Sequence, residues 1–419
     1  MFLFLQASFY FDNAESISLS IKCKTLLIAG EEVNSLFSLI AEPSGYFFTQ
    51  KPKMKILQII NSLGMGGAEK LLLDSIPLYR KAGIEMDILV LWNDNHPFLK
   101  ALKEMNCCKI YVLKESATHW DIYNPLHIFK IRKLLRHYDI AHVHLFPAQY
   151  FVVFANIGLN KKLVFTEHNT SNNRINNKLF KPLEKFIYNR YKKNICITDE
   201  IREIYERYLK KAETLVVINN GVDISRIQKA IAIEKKNLYP NIGDNGVLLL
   251  QVSAFREQKD QPTLIRAMKI LPDNFKLLLV GVGEQVQKCK ELTTELELEN
   301  RILFLGQRMD IPQLLKSADF VILSSKYEGL SLSSIEGLAS GKPFIASDVP
   351  GLRDIVQGAG ILFEQGNSGQ LAQLVQQLSE NKELCLQTVE KCINRANEYD
   401  ITAMVNKHIQ LYKDVYEQG

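Results

Sequence analysis

From Met54 onward the chain alternates short, near-continuous apolar runs with longer amphipathic stretches, and it does so in two successive series. The first series offers strands at Lys55–Ile60, Met86–Leu91, Lys109–Val112, Asp139–His144, Leu163–Thr166, Asn194–Ile197 and Thr214–Ile218. Amphipathic stretches such as Ala68–Ala82 and Leu126–His137 separate them. A strand that is apolar throughout, rather than at every second residue, has to be buried on both faces. Alternated with helices, such strands build a parallel sheet covered on both sides. The pattern resets across Ala230–Gly246, a polar segment with Lys235, Lys236, Pro240, Gly243 and Gly246 that reads as a linker. A second series follows at Val247–Val252, Lys276–Val280, Ile302–Leu305, Phe320–Leu323, Pro343–Ala346 and Ile361–Phe363, and Leu371 to Glu417 reads as helix alone. The expectation is an α/β chain with doubly wound parallel-sheet domains at 54–228 and 247–398, a linker at 229–246 and a last helix at 399–419. Ligands of such folds sit outside the carboxyl ends of the strands, so the two domains would face each other across a cleft.

Charge and cysteine usage narrow the function classes. Lys+Arg at 51 against Asp+Glu at 46 leaves a formal charge of +5, too weak to argue for nucleic acid. The 7 cysteines include no C-x-x-C pair, which disfavours zinc ribbons and thioredoxin chemistry. Scattered thiols fit a reducing, cytoplasmic location. No run of about 18 apolar residues suggests a spanning helix. Met1–Phe11 is apolar, but it lacks the preceding positive charge of a secretory signal. Residues 1–53 have no evident partner in the rest of the chain, so they read as an extension, with translation expected to begin at Met54. A native peptide spanning Lys24 to Lys51, detected by mass spectrometry, would overturn that expectation.

Two glycine turns and one pair of carboxylates carry the chemistry. The first strand runs into Asn61-Ser-Leu-Gly-Met-Gly-Gly-Ala-Glu69, where glycine lets backbone N–H groups approach a phosphate at a helix start. Gly64 and Gly66 match the first positions of a dinucleotide fingerprint, but Glu69 stands at the third. That disfavours a nicotinamide dinucleotide, and no Walker string is present. Val280-Gly-Val-Gly-Glu284 in the second half reads only as a turn. More informative is Ser325–Pro343, in which Glu328 and Glu336 stand with seven residues between them after an apolar strand. A helix beginning near Ser331 would aim the free N–H groups of Leu330 to Ser333, including those of Ser331 and Leu332, at an anion such as a diphosphate. Carboxylates on either side could then accept from sugar hydroxyls, although both would equally favour a helix N-terminus for its own sake.

From Met54 to the end the chain resembles the retaining GT-B glycosyltransferases of family 4. Gly64-Met-Gly-Gly-Ala-Glu69, Thr166-Glu-His-Asn169, Val217-Ile-Asn-Asn-Gly-Val-Asp223 and the Glu328/Glu336 pair occur in the family's order. The resemblance implies two Rossmann-like domains with a C-terminal helix crossing back to the first. It implies a hexosyltransferase that takes a nucleotide-diphosphate sugar, UDP- or GDP-linked, as substrate on the second domain, with the acceptor on the first and no bound metal or other cofactor. By the same resemblance Glu336 would hold the donor ribose. Glu328, with the N–H groups of Gly329 and Leu330, would hold the transferred sugar. Gly66 and Gly67 would face the diphosphate, Lys259 would pair with it, and His168 would stand near the transferred sugar.

One position departs from the family. An Arg is usual where this chain has Ala254, and Arg256 lies two residues later. Arg256 is expected to take over the leaving-group role, since a guanidinium forks onto phosphate where a lone Lys offers a point charge. A diphosphate leaving group builds negative charge, and a helix N-terminus with Lys259 and Arg256 could meet it.

Other features are weaker. His142 and His144 share one face of a strand and are expected to line the cleft rather than hold a metal, for want of a third ligand. The basic stretch 174–193 carries Leu179, Leu183, Phe186, Ile187 and Tyr191 at helical spacing. It offers either an ordinary core-facing helix or peripheral contact with an anionic membrane at the inner face of the cell membrane. A glycan or lipid-linked acceptor and a role in bacterial surface polysaccharide follow as expectations. The competing readings are a nucleotide-sugar 2-epimerase of the same fold, which the glutamate pair opposes, and a non-catalytic sugar-binding protein, which His168 and Glu328 oppose.

Overall fold

A computed structural model describes residues 8–12, 16–20, 54–116, 118–168, 177, 180–209 and 212–417. Met1–Pro52 forms a unit separate from Lys53–Gly419. In the first unit β1 (Ser8–Asp12) pairs antiparallel with β2 (Ser16–Ser20). The rest of the expected extension lies outside the described residues.

The larger unit holds two parallel sheets. The first contains β3 (Lys55–Ile60), β4 (Glu85–Val90), β5 (Ile110–Val112), β6 (Ile140–His144), β7 (Lys162–Glu167), β8 (Lys193–Cys196) and β9 (Leu215–Val217). The second contains β10 (Val247–Val252), β11 (Phe275–Val280), β12 (Ile302–Gly306), β13 (Phe320–Leu323), β14 (Phe344–Ser347) and β15 (Ile361–Phe363). Their orders are β5-β4-β3-β6-β7-β8-β9 and β12-β11-β10-β13-β14-β15. Every pairing within both is parallel. In each sheet the winding reverses beside the first strand, between β3 and β6 and between β10 and β13. Those reversals open a crevice at the carboxyl ends.

The strands are buried as their apolar runs require. Ile56, Leu57, Ile59 and Ile60 of β3 and Leu248, Leu249 and Leu250 of β10 have no exposure. Each such side chain contributes about 1.5–3 kcal/mol on burial.

The 230–246 segment is packed rather than loose. Its Leu238, Tyr239 and Ile242 are buried, Ser317 Oγ accepts from the Ile233 amide at 2.8 Å, and Lys235 pairs with Asp319 at 2.5 Å. Its polar composition concealed these anchors.

The last helix, Ile401–Glu417, crosses back onto the first domain. Its Met404, Val405, Leu411, Tyr412 and Val415 join the core made by Ile56, Ile76 and Ile88. The crossing is fixed at Val222, whose amide donates to Tyr399 and whose carbonyl accepts from Ile401, both at 3.0 Å. A Cβ on Gly221 would stand 2.6 Å from the Ile401 Cα, so the approach requires glycine there.

In 174–193, residues 174–176, 178 and 179 lie outside the described residues. The Lys181–Tyr188 helix buries Ile187 and Tyr188, with Tyr191 beyond it, so its apolar stripe faces the core. Phe180 and Phe186 remain exposed. Among the described residues no helix is long and apolar enough to cross a membrane.

Candidate active site

The first wall of the cleft is the turn after β3. Gly66 precedes the Gly67–Lys81 helix in extended conformation and caps it with backbone alone. A Cβ on Gly66 would meet Glu69 Oε2 at 2.2 Å, so a side chain there would displace that carboxylate. Gly67 faces the opposite domain: a Cβ on it would lie 3.9 Å from Leu332 Cδ1. Leu332 opens the Leu332–Ala339 helix, and Ser331 precedes it in extended conformation with no side-chain cap. The leading end of that helix therefore abuts the first domain's glycine turn.

The second wall is built from the loops after β10 and β13. Lys259 Nζ donates to Glu328 Oε1 at 2.5 Å, and Ser325 Oγ donates to the same oxygen at 2.5 Å. Glu328 is 7 % exposed. A buried carboxylate needs such partners. Leu330 is buried, while Gly329, Ser331 and Leu332 are half-buried at the helix entrance.

Two glycine sites hold these loops, one of which, Gly351, carried no sequence signal and the other, Gly281, read only as a turn. Gly351, at φ +80, would set a Cβ 2.3 Å from the Glu328 carbonyl oxygen, so it allows the Glu328 loop to lie against its backbone. Gly281, at φ +141, would set one 2.0 Å from the Ser253 oxygen, and Phe255 donates its amide to Val282 at 2.9 Å. The second glycine turn thus props the loop that carries Arg256. Only its G-x-G pattern hinted at this.

Arg256 is exposed, and its charge opposes a rise in the Glu69 carboxyl that burial causes. It therefore stands within electrostatic reach of the first domain's turn. Ala254, at the family's Arg slot, gives its carbonyl to the Arg256 amide at 2.9 Å and to Gln261 Nε2 at 3.0 Å.

Glu336 lines an open pocket of about 510 Å³ with Met65, Lys70, Asp74, Arg226 and Arg308. Burial raises its carboxyl above the usual range, with the charge of Lys70 opposing. Arg308 is held by Asp310 through Nε at 2.8 Å and Nη2 at 2.5 Å. Lys70, Asp74 and Arg226 carried no motif signal, since each looks like an ordinary helix-face charge. They come to the pocket because the two domains face each other.

His168 follows β7 and is half-buried, while Asn169 lies outside the described residues. His168 Nε2 is 3.0 Å from His144 Nδ1. Burial pulls its imidazole down to about 4. His142 and His144 do not line the cleft, contrary to the expectation, and are 1 % and 2 % exposed. Alternation set both on one face of β6 but could not say that the last helix covers that face. His142 is engaged by Tyr412 and Thr166, each at 2.7 Å, and His144 by Gln58 at 2.8 Å.

Two facing doubly wound domains with a crossing C-terminal helix define the GT-B fold of glycosyltransferases. Family models agree: the one described as Glycosyltransferase Family 4 matches 65–226, and the one described as Glycosyl transferases group 1 matches 233–398. The chain belongs to this family and is a glycosyltransferase. It is 29% identical, over 70% of its length and 80% of the relative's, to the UDP-Gal:alpha-D-GlcNAc-diphosphoundecaprenol alpha-1,3-galactosyltransferase of Escherichia coli. It is 25% identical, over 81% of its length and 94% of the relative's, to the N-acetylgalactosamine-N,N'-diacetylbacillosaminyl-diphospho-undecaprenol 4-alpha-N-acetylgalactosaminyltransferase of Campylobacter jejuni. In fold it is similar to Anabaena HepE in complex with UDP and glucose, with TM-score 0.74, 24% identity and coverage of 86% and 99% of the two chains.

Proposed function

We propose that the chain moves a hexosyl unit from a UDP- or GDP-linked sugar to a lipid-diphosphate-linked or glycan acceptor, with retention, without a metal, in surface polysaccharide assembly. The observation that carries this reading is the closeness of Gly67 to Leu332, whose Cδ1 would lie 3.9 Å from a Cβ on Gly67, so that the leading end of a helix stands against a glycine turn beside Glu336. A diphosphate between them would meet free N–H groups from that helix. Glu336 would accept from the ribose, and Glu328 would orient the sugar. Lys259 and Arg256 would stabilise the charge that grows on the departing diphosphate. His168 would accept a hydroxyl proton or hydrogen bond beside the reacting carbon. Closing the two walls together would exclude water and favour transfer over hydrolysis. A UDP donor and a lipid-linked acceptor are favoured by the Escherichia coli relative's own substrates.

Incubation with UDP- and GDP-hexoses, with and without diphosphate-linked polyprenol acceptors, tests the reading. Acceptor-dependent release of nucleoside diphosphate that persists in EDTA is expected, with product of the donor's anomeric configuration by NMR. Interconversion of the free nucleotide sugar would support the 2-epimerase instead, and binding without turnover would support a sugar-binding protein.

The acceptor would be met at an anionic membrane. The basic side of 174–193 serves that contact, and a second face joins it. Trp120 is 74 % exposed and Phe129 71 %, and Leu126, Lys130, Lys133 and Arg136 of the same stretch of chain are exposed too. Tyr123, also exposed, packs 6.1 Å from Phe146, which follows β6 at the cleft end of its sheet. Exposed aromatic side chains in a stretch rich in exposed cations suit the boundary of an anionic bilayer. Flotation with phosphatidylglycerol vesicles should fall on Trp120→Ala with Phe129→Ser. Unchanged flotation would remove this face from the proposal.

A further inference from the structure

Behind His168 a hydrogen-bonded chain runs through the first domain's core to the crossing helix. Gln58 on β3 has one amide nitrogen that only donates and one oxygen that only accepts. Its nitrogen reaches the Tyr412 hydroxyl at 3.2 Å and the Met86 sulfur at 3.5 Å. A thioether offers no proton, so this orientation satisfies both neighbours. The Gln58 oxygen is left 2.8 Å from His144 Nε2, and that ring nitrogen must be the one carrying hydrogen. Burial and the neighbouring imidazoles hold His144 well below its usual range, so it is neutral and its Nδ1 is bare. His168 Nε2, 3.0 Å from that bare nitrogen, must donate to it. The Tyr412 hydroxyl, accepting from Gln58, also stands 2.7 Å from His142 Nδ1, and His142 Nε2 stands 2.7 Å from Thr166 Oγ1. From Gln58 through His144 to His168 each link has one direction, set by the amide oxygen at one end and the bare Nδ1 at the next.

We infer that Gln58 and His144 are positioning residues that hold His168 in the tautomer protonated at Nε2, so that His168 offers Nδ1 as a hydrogen-bond acceptor. Among the described residues no hydrogen bond engages that nitrogen. The consequence for transfer rests on the reading that His168 stands beside the reacting sugar. There it receives a proton or hydrogen bond from a hydroxyl and does not donate one to the departing phosphate. Tyr412 makes the crossing helix part of this arrangement, because its hydroxyl accepts from the Gln58 amide nitrogen, whose direction the Met86 thioether sets.

Histidine 15N labelling of the full chain and long-range proton–nitrogen correlation at neutral pH read the tautomer directly, with no need of turnover. His168 is assigned by the signal lost in His168→Gln. Protonation at Nε2 is expected, and protonation at Nδ1 overturns the inference. In Gln58→Leu the His168 signal should become a mixture of both tautomers. There kcat should fall by about tenfold or more while donor KM stays within about twofold. His144→Asn sets a carbonyl oxygen near the old Nδ1 and should keep the wild-type tautomer, whereas His144→Leu should not. An unmixed Nε2 tautomer in Gln58→Leu would overturn the role of the pair. An inactive chain with the expected tautomer would instead count against the glycosyl-transfer reading alone.

Discussion

Glu328 and Glu336 share a motif but not an environment. Glu328 is already satisfied by Lys259 and Ser325, whereas Glu336 sits in a pocket whose burial raises its carboxyl. Glu336→Ala should therefore act on donor binding. One or two lost hydrogen bonds to a charged group, about 1.5–3 kcal/mol each, raise donor KM by about 10-fold or more with little change in kcat. Glu328→Gln should lower kcat by about 100-fold, because it disturbs the Lys259 ammonium at the reacting end. Steady-state kinetics with a fixed acceptor would check both, and the reverse pattern would exchange the two roles. Arg256→Ala should cost about 100-fold in kcat/KM, and Arg256→Lys should recover only part, since an ammonium cannot fork onto phosphate. At this scale the glutamate pair was legible because spacing after an apolar strand is itself a signal. Gln58 was not: a lone polar residue inside a buried strand announces no partner until Tyr412 arrives from the far end of the chain.

Elements were legible wherever burial on both faces left an unbroken apolar run. β3, β10, β13 and β15 begin and end where the sequence placed them, and other strand ends shift by at most one residue. What sequence could not supply was contact between elements. Gly221 is the clearest case, because only the crossing helix, whose Ile401 Cα would stand 2.6 Å from a Cβ there, gives it a reason to lack a side chain. Gly67→Ala would bring its Cβ into ordinary contact with Leu332 and should leave donor affinity nearly unchanged. Gly67→Val would drive branched methyl groups into the gap and should weaken donor affinity by about 10-fold, a cost of about 1.4 kcal/mol. Calorimetric titration with the nucleotide diphosphate would measure this, and equal affinities for the two variants would detach the turn from the donor site.

For the whole molecule, the core histidines make stability depend on acid. Burial lowers His168 to about 4 and His408 to about 3, and holds His142 and His144 well below the ordinary range. An unfolded histidine titrates near about 6.5, so below that pH the unfolded chain binds protons that the folded one refuses. Stability should be level above about pH 7 on account of these groups and fall as pH drops from about 6.5 toward 4. Glu69 and Glu336, raised by burial, push the other way, but four imidazoles outnumber two carboxyls. Denaturant melts at pH 7.5 and 5.5 would check this, with a lower midpoint at 5.5 expected and an equal or higher one refuting it.

The backbone bonds between Val222 and the residues flanking Asp400 tie together the two places where the polypeptide passes from one lobe to the other. Two strands of chain side by side act like a pair of pins on one edge of a door. The lobes can then swing about that edge but cannot drift apart, and each opening to release product returns the same jaws to the same bite.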